Sequence, residues 1–382
     1  MTESIAVPDE SKNGLNRNID VTVILPSKDE EVTIGACIGK IKTVLENKGI
    51  TGEIIVADNS EDNTPVIAEK LGATVVIPDK EGYGYAYNFA FEHARGDYIV
   101  MGDADDTYDF MELPMLLEPL KKKEADMVIG SRFKGKMEKG AMPRLHRWIG
   151  NPVLTWFLDL FFEAGVSDAH CGFRAIRKDT LKKLNLSSEG MEFASEMIMK
   201  AVEKGLRIRE VPISYYKRKD DNSKLSSFSD GWRHLKFMLL HAPNYLFVYP
   251  SALFLVVGTL LLGSGLFNIN IGYIPGPHSM VAGSLLTIIG YQVLFFGLFA
   301  KIYKGRKLSR FLTLERTATV GAFVFLAGVL YVSYLILGWK EGRFEGWPPI
   351  QLDIIGFTLI VLGLQTFFSS FMLSMLANRS RE

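Results

Sequence analysis

Charge is missing from one long stretch of this chain. Of 382 residues, 43 are basic and 43 acidic, yet residues 237–300 contain no Asp, Glu, Lys or Arg. That run far exceeds the roughly 20 apolar residues that cross a bilayer, and the turn-forming segment 268–277 divides it. Cysteine is scarce: Cys37 and Cys171 are the only two, which excludes a disulfide scaffold and a zinc cage built from cysteine alone. Net charge is zero, which argues against a nucleic-acid partner, because such domains show a basic excess. Disorder is excluded by an apolar fraction of 48%. A mean hydropathy of +0.13 beside 23% charged residues points to two unlike parts averaged together.

The second part reads as membrane. Four spans are expected, at 246–267, 279–303, 317–339 and 354–378. No span carries a buried charge, which argues against an ion-coupled transporter. Lys301, Lys304, Arg306, Lys307, Arg310 and Arg316 crowd one connection, and Arg379 and Arg381 lie in the tail. The positive-inside bias places these, and the N-terminal part, in the cytosol. From residue 237 onward there are ten basic and five acidic side chains, so the front part carries 33 basic and 38 acidic. Residues 1–19 are polar, with Glu3, Asp9 and Glu10; they read as a flexible tail without a signal peptide. The expectation is an integral, multi-pass membrane protein with a cytosolic front domain over 20–227.

That front domain alternates apolar, β-branched runs with helical patterns. Strands are expected at 21–25, 53–57, 73–77, 98–101, 126–129 and 208–213, with helices at 32–45, 64–71 and 86–94. The alternation implies an α/β, Rossmann-like, largely parallel sheet, whose ligands bind beyond the carboxyl ends of the strands. Polar residues stand there: Asp29 and Glu30, Asp58 and Ser60, Asp103 and Asp105.

Asp103-Ala104-Asp105 directly follows the fourth strand. Carboxylates two apart at a strand end can share a hard divalent cation, which would neutralise a diphosphate leaving group. The plainer alternative is a solvated acidic turn. Asp58-Asn59-Ser60 could hold a base or ribose, Asp62 caps a helix, and Gly82-Tyr83-Gly84 allows close backbone approach. Glu192 and Glu196 share a helix face. His170 reads as structural rather than metal-ligating, while Arg174 and Arg177 read as partners of surface carboxylates or as site residues. Two segments look interfacial. Residues 143–162 mix Arg144, His146 and Arg147 with Trp148 and Trp156, and residues 228–245 include Trp232.

Taken in order, Leu25-Pro26-Ser27-Lys28-Asp29-Glu30, Val56-Ala57-Asp58-Asn59-Ser60, Gly82 to Asn88, the strand into Asp103-Ala104-Asp105, Gly130-Ser131-Arg132-Phe133, Asp168, Cys171-Gly172-Phe173-Arg174 and Arg218 before Ser223-Lys224-Leu225 resemble family 2 glycosyltransferases of the GT-A fold. More narrowly, they resemble the polyprenyl- or dolichyl-phosphate sugar synthases. The resemblance implies a GT-A catalytic domain followed by an all-α transmembrane domain of four helices. It implies that Pro26, Glu30, Asp58, Ser60, Gly82, Asp103, Ala104, Asp105, Arg218 and Lys224 bind the donor. Asp103 and Asp105 would hold Mg²⁺ or Mn²⁺, and Ser131, Arg132 and Arg147 the acceptor phosphate. Asp105, Arg132 and Asp168 would be the catalytic set, Asp168 lying near the sugar. The implied partners are a nucleotide-sugar (GDP-mannose or UDP-glucose), polyprenyl or dolichyl phosphate and the lipid bilayer, with a homo-oligomer left open. Two departures, Asp29-Glu30 for the familiar Asn-Glu and Ala169-His170-Cys171 before Gly172, leave the sugar open.

The alternatives are a processive membrane polysaccharide synthase, whose Gln-x-x-Arg-Trp signature this sequence lacks, and a lipid-sugar flippase or assembly protein with an inactive transferase. Transfer to a phosphate that is already anionic needs no strong general base, so positioning and charge stabilisation should dominate.

Overall fold

The computed structural model describes residues 19–219, 227–305, 313–344 and 346–379. The tail to residue 18, Lys224 and the basic residues Arg306, Lys307, Arg310 and Arg381 lie outside them. The chain divides into two units, Met1–Met238 and Leu239–Glu382.

In the first unit, β1 (Val21–Ser27), α1 (Ile34–Asn47), β2 (Gly52–Asp58), α2 (Thr64–Lys70), β3 (Thr74–Val76), α3 (Tyr83–His93) and β4 (Tyr98–Met101) alternate. Then follow α4 (Leu113–Lys121), β5 (Met127–Ser131), α5 (Asn151–Phe162), β6 (Arg174–Arg177), α6 (Lys178–Leu184), α7 (Phe193–Glu203), β7 (Ile208–Pro212) and α8 (Ser227–His241). The seven strands form one sheet in the order β3-β2-β1-β4-β6-β5-β7. All pairings are parallel except those of β6, which runs antiparallel to β4 and β5. This is the α/β, Rossmann-like architecture expected.

Val21, Val23, Ile24 and Leu25 are fully buried, so β1 is covered on both faces, as the unbroken apolar run requires. Helix α1 buries Ile34, Cys37, Ile38, Ile41, Val44 and Leu45, a stripe at helical spacing. The strand order reverses at β1, with β2 on one side and β4 on the other, and a crevice opens at such a switch point. Asp29, Asp58 and Asp103 gather there because each ends or follows one of these three strands.

Strand β6 departs from the sequence reading, which has no strand at 174–177. Its first residue, Arg174, pairs in register with Met101 and is buried. The guanidinium donates to the carbonyls of Cys171, Ala194 and Ala169 at 2.7, 2.9 and 2.7 Å. Backbone oxygens, rather than surface carboxylates, accept from it. Arg177 does pair with a carboxylate, Asp126, at 2.6 Å.

The second unit holds α9 (Tyr249–Leu266), α10 (Pro277–Tyr303), α11 (Leu314–Lys340) and α12 (Ile350–Arg379). Among the described residues, four segments are long and apolar enough to cross a membrane, Asn244–Leu266, Pro277–Tyr303, Leu314–Lys340 and Ile350–Asn378, each starting two to four residues ahead of the sequence reading. Helix α10 packs on α9 and α12, and α11 packs on α12. Hydroxyl pairs Ser284–Thr358 and Tyr291–Thr366, both at 2.7 Å, join α10 to α12. Helix α8 ends at His241, short of the expected 245, because Pro243 cannot donate to a continuing helix.

Candidate active site

Asp58 closes β2 and is buried. Its carboxylate accepts from Ser27 Oγ at 2.5 Å and from Ser60 Oγ and N at 2.6 and 3.1 Å. Asp29 has a left-handed backbone (φ 52°); its N–H donates to Ser60 Oγ at 2.6 Å, and its carboxylate accepts from Glu61 N at 3.1 Å. The ends of β1 and β2, Pro26 included, are thus stitched into one polar rim. Gly82 opens α3 at φ 149°; a Cβ there would come within 2.4 Å of the Glu189 carbonyl oxygen.

Beyond β4 the Asp-Ala-Asp turn points its two carboxylates into different settings. Asp103 is enclosed and accepts from Tyr83 OH at 2.9 Å. Burial, then repulsion from Asp105, pushes its pKa up to about 7. Asp105 accepts from Thr107 Oγ1 and N at 2.6 and 3.2 Å. The Ala104 carbonyl lies 3.4 Å from the Cys37 thiol of α1. Asp106, also left-handed (φ 58°), is gripped by Lys40 at 2.8 Å and Lys219 at 2.6 Å. Burial alone would raise its pKa, but these two ammonium groups hold it below the usual carboxylate range. The donor set of Asp103 and Asp105 fits a hard divalent cation: both groups are oxygen ligands, and an adjacent positive charge would favour the ionised form that enclosure disfavours.

Arg132 follows β5 and is buried against Asp168. Nε donates to Oδ2 at 2.8 Å, Nη2 to Oδ1 at 2.7 Å and the backbone N–H to Oδ2 at 3.0 Å. Although burial opposes the charge, Asp168 keeps the guanidinium pKa well above its ordinary value. Glu210 of β7 holds the corner before this pair, accepting from Ser167 N and Asp168 N at 2.7 and 2.9 Å. The Ser131 and Ser167 hydroxyls lie 2.9 Å apart. Arg132 sits over the Tyr215 ring at 5.2 Å, and Arg218 pairs with Glu30.

Some of these side chains line a cavity of about 380 Å³, whereas Asp58, Ser60, Asp103, Ser131 and Asp168 do not. Asp105, Thr107, Arg132, Tyr215 and Arg218 form its polar part, and Met142, Pro143, Ile149, Val153, Leu154 and Met191 its apolar part. Arg147 is not among the lining residues; its guanidinium lies over Trp148 at 5.4 Å. His146, one residue earlier in the π-helical turn His146–Gly150, lines the cavity instead. Turns of this kind are frequent at functional sites.

The family model for glycosyl transferase family 2 matches residues 22–184, and that for the family 2 C-terminal transmembrane region matches 302–377. The low-salt glycan biosynthesis hexosyltransferase Agl6 of Haloferax volcanii is 45% identical over 367 residues, 93% of this chain and 89% of that one. The chain belongs to glycosyltransferase family 2. A dolichyl-phosphate hexose transferase of the same organism is 33% identical over 214 residues, 56% of this chain and 89% of its own length. Among solved structures, glucosyl-3-phosphoglycerate synthase of Mycobacterium tuberculosis aligns with a TM-score of 0.48 and 23% identity, over 58% of this chain and 79% of that one.

In this family 2 glycosyltransferase, a GT-A domain is followed by four apolar helices, and the protein is a membrane protein. Sequence reasoning did not single out Tyr215, Lys40, Lys219, Asp106, Ser195 or His234 as site residues. The signal available for Asp106 was its place beside the acidic pair; the others reach the site only through sheet order and helix packing. Glu196 accepts from Ser187 N at 3.0 Å, Ser188 N at 2.8 Å and Lys200 at 2.6 Å, which is a structural role in holding the 187–188 loop. Glu192 accepts from Gly190 N at 3.2 Å.

Proposed function

We propose that this glycosyltransferase moves a hexose, mannose or glucose, from its nucleoside-diphosphate donor to polyprenyl or dolichyl phosphate at the cytosolic membrane face. The observation that carries this reading is the cavity that runs from Asp105, Arg132 and Arg218 to an apolar wall at 142–154. The same segment leaves Leu145, Trp148 and Trp156 exposed, together with Ile149 and Val153, which also line the cavity. They fall on one face of a helical segment, and an aromatic and aliphatic stripe flanked by Arg144 and Arg147 suits a bilayer interface. The one basic connection, residues 301–316, and the basic tail support the cytosolic placement. The dolichyl-phosphate hexose transferase among the relatives supports the acceptor class.

In this reading Asp58 and Ser60 receive the base and ribose, and Pro26, Glu30 and Gly82 shape the rim around them. Asp103 and Asp105 would hold Mg²⁺ or Mn²⁺, which supplies charge neutralisation to the departing diphosphate. Arg218 faces the donor phosphates, a role proposed also for Lys224, which lies outside the described residues; Arg132, set by Asp168, meets the acceptor phosphate, a role proposed also for Ser131 and Arg147, neither of which lines the cavity. An acceptor phosphate oxygen bonds to the anomeric carbon as the bond from that carbon to the diphosphate oxygen breaks. Displacement from one side inverts the centre, so an α-linked donor yields a β-linked lipid phosphosugar. The acceptor oxygen is already anionic, so the protein's task is alignment and charge stabilisation.

The test is an assay of membranes carrying the protein with radiolabelled UDP- and GDP-sugars, added prenyl phosphate and Mg²⁺ or Mn²⁺. Label entering the lipid phase from one donor, in a β-linkage, is expected. No label from any donor overturns the reading, and an α-linked product overturns the inverting step.

A further inference from the structure

One face of α3 grips the turn that carries Asp103. Tyr83 and Tyr87 stand four residues apart on that helix and so share a face, and both reach the end of β4. Tyr83 OH donates to Asp103 Oδ1 at 2.9 Å, and Tyr87 OH donates to the carbonyl of Gly102, one residue earlier, at 3.3 Å. Among the described residues, Tyr83 is the one side chain that donates a hydrogen bond to the Asp103 carboxylate.

Packing fixes where that hydroxyl stands. The Tyr83 ring meets Tyr87 and Phe193 edge to face, with centroids 5.1 and 6.4 Å apart, and Tyr87 stacks on Phe193 at 5.3 Å. The glycines on either side of Tyr83 let the start of α3 press against the loop 188–190. A Cβ on Gly84 would come within 2.3 Å of the Ser188 carbonyl oxygen and 2.8 Å of Phe193 Cβ, as one on Gly82 would meet the Glu189 carbonyl. Tyr85 N donates to that Glu189 carbonyl at 3.1 Å, and Glu196 holds residues 187–188 in turn. Opposite, Gly172 has no side chain where Asp103 and Tyr83 abut it. Both partners of the hydrogen bond are thus placed by their surroundings.

Carboxylates that ligate a metal are themselves hydrogen-bonded, and the partners that orient them govern metal affinity. A phenol suits this task because it is neutral: it fixes a carboxylate without cancelling the charge that a cation needs. Asp106, three residues on, shows the contrast, since Lys40 and Lys219 neutralise it. We propose that Tyr83 is a positioning residue for Asp103, and that its hydroxyl sets the affinity of the site for the divalent cation. The proposal rests on the reading of Asp103 and Asp105 as the metal ligands.

The test measures Mn²⁺ binding to the full-length wild type, Y83F, Y87F and D105A from the free-Mn²⁺ signal in electron paramagnetic resonance, with Mn²⁺ alone as the probe and melting curves on the same preparations. Y83F removes one hydroxyl and keeps the ring in its packing. It should raise the Mn²⁺ Kd about 10-fold or more, the scale on which the outer partners of metal ligands act. Y87F loses a hydroxyl that bonds backbone and should keep the wild-type Kd, which separates the effect from a general loosening of α3. In transfer assays Y83F should need about 10-fold more Mn²⁺ for half-maximal rate and approach the wild-type rate at saturating Mn²⁺. D105A reports whatever Mn²⁺ binds elsewhere on the chain. An unchanged Kd in Y83F, or equal weakening in Y83F and Y87F, overturns the proposal alone. Wild-type binding no stronger than that of D105A overturns the metal reading and this inference with it.

Discussion

Asp168 binds Arg132 three times, twice through the guanidinium at 2.8 and 2.7 Å and once through the backbone N–H at 3.0 Å. Both side chains are buried, so removing the carboxylate charge leaves an uncompensated cation, which costs about 3–5 kcal/mol. D168N should therefore lower the melting temperature strongly as well as the activity. R132K keeps the charge but loses the planar fork, and should retain more of the fold than of the transferase rate. Melting curves and initial rates on the same preparations check both.

Chelation should abolish transfer, and added Mg²⁺ or Mn²⁺ should restore it. D105A should lower kcat by about 1,000-fold, the scale of a lost several kcal/mol of charge stabilisation. Transfer unchanged in D105A would favour an assembly or flippase role for the chain.

Gly172 lies against the Asp103 carboxylate, one of the two proposed to hold the metal. A Cβ there would stand 2.9 and 3.1 Å from the two Asp103 oxygens and 3.0 Å from Tyr83 OH. Overpacking of this kind costs about 1–3 kcal/mol, and Asp103 must shift to accommodate it. G172A should raise the metal concentration needed for half-maximal rate about 10-fold or more, read from a metal titration.

Glu196 gives a pH-dependent contribution to stability. Burial opposes its ionisation, but hydrogen bonds from Lys200 and Ser188 hold its pKa below the ordinary 4.5. A carboxylate depressed on folding stabilises the fold above its unfolded pKa, and that contribution is lost as pH falls through the lower folded value. E196Q should be less stable than wild type by about 1–3 kcal/mol near neutral pH. The gap in melting temperature should narrow as pH falls below the ordinary 4.5 and through the lower folded value.

Trp148 and Trp156 are 72% and 57% exposed, so replacing them should scarcely alter melting. The double substitution W148E/W156E should raise the KM for long-chain prenyl phosphate about 10-fold if the stripe seats on lipid. The donor KM should stay unchanged, as donor titration at saturating acceptor would show.

Much of the sheet was legible because β1, β2 and β5 are buried on both faces and their residues form unbroken apolar runs. Strand β6 was hidden because Arg174 begins it, and a buried arginine bonded to three carbonyls has the sequence appearance of a surface residue. The Asp103-Ala104-Asp105 pair was legible because it directly ends such a run. The Arg132–Asp168 clamp spans 36 residues and leaves no local pattern. It forms because β5, β6 and β7 are neighbours in an order the chain does not follow.

By itself the sequence determined the division of this protein into a charged α/β domain and an apolar helical region. Hydrophobic periodicity, the 64-residue gap in charge from 237 to 300 and the bias of basic residues are one-dimensional properties that water and lipid sort directly. Only the tertiary structure decided which charges meet. It pairs Arg218 with Glu30 across 188 residues and Lys219 with Asp106 across 113, and it sets His170 beside His234. A buried charge without its partner is too costly to keep, so the largely buried carboxylates of Asp106 and Glu30 draw Lys219 and Arg218 to them, and spacing along the chain carries no trace of these pairings.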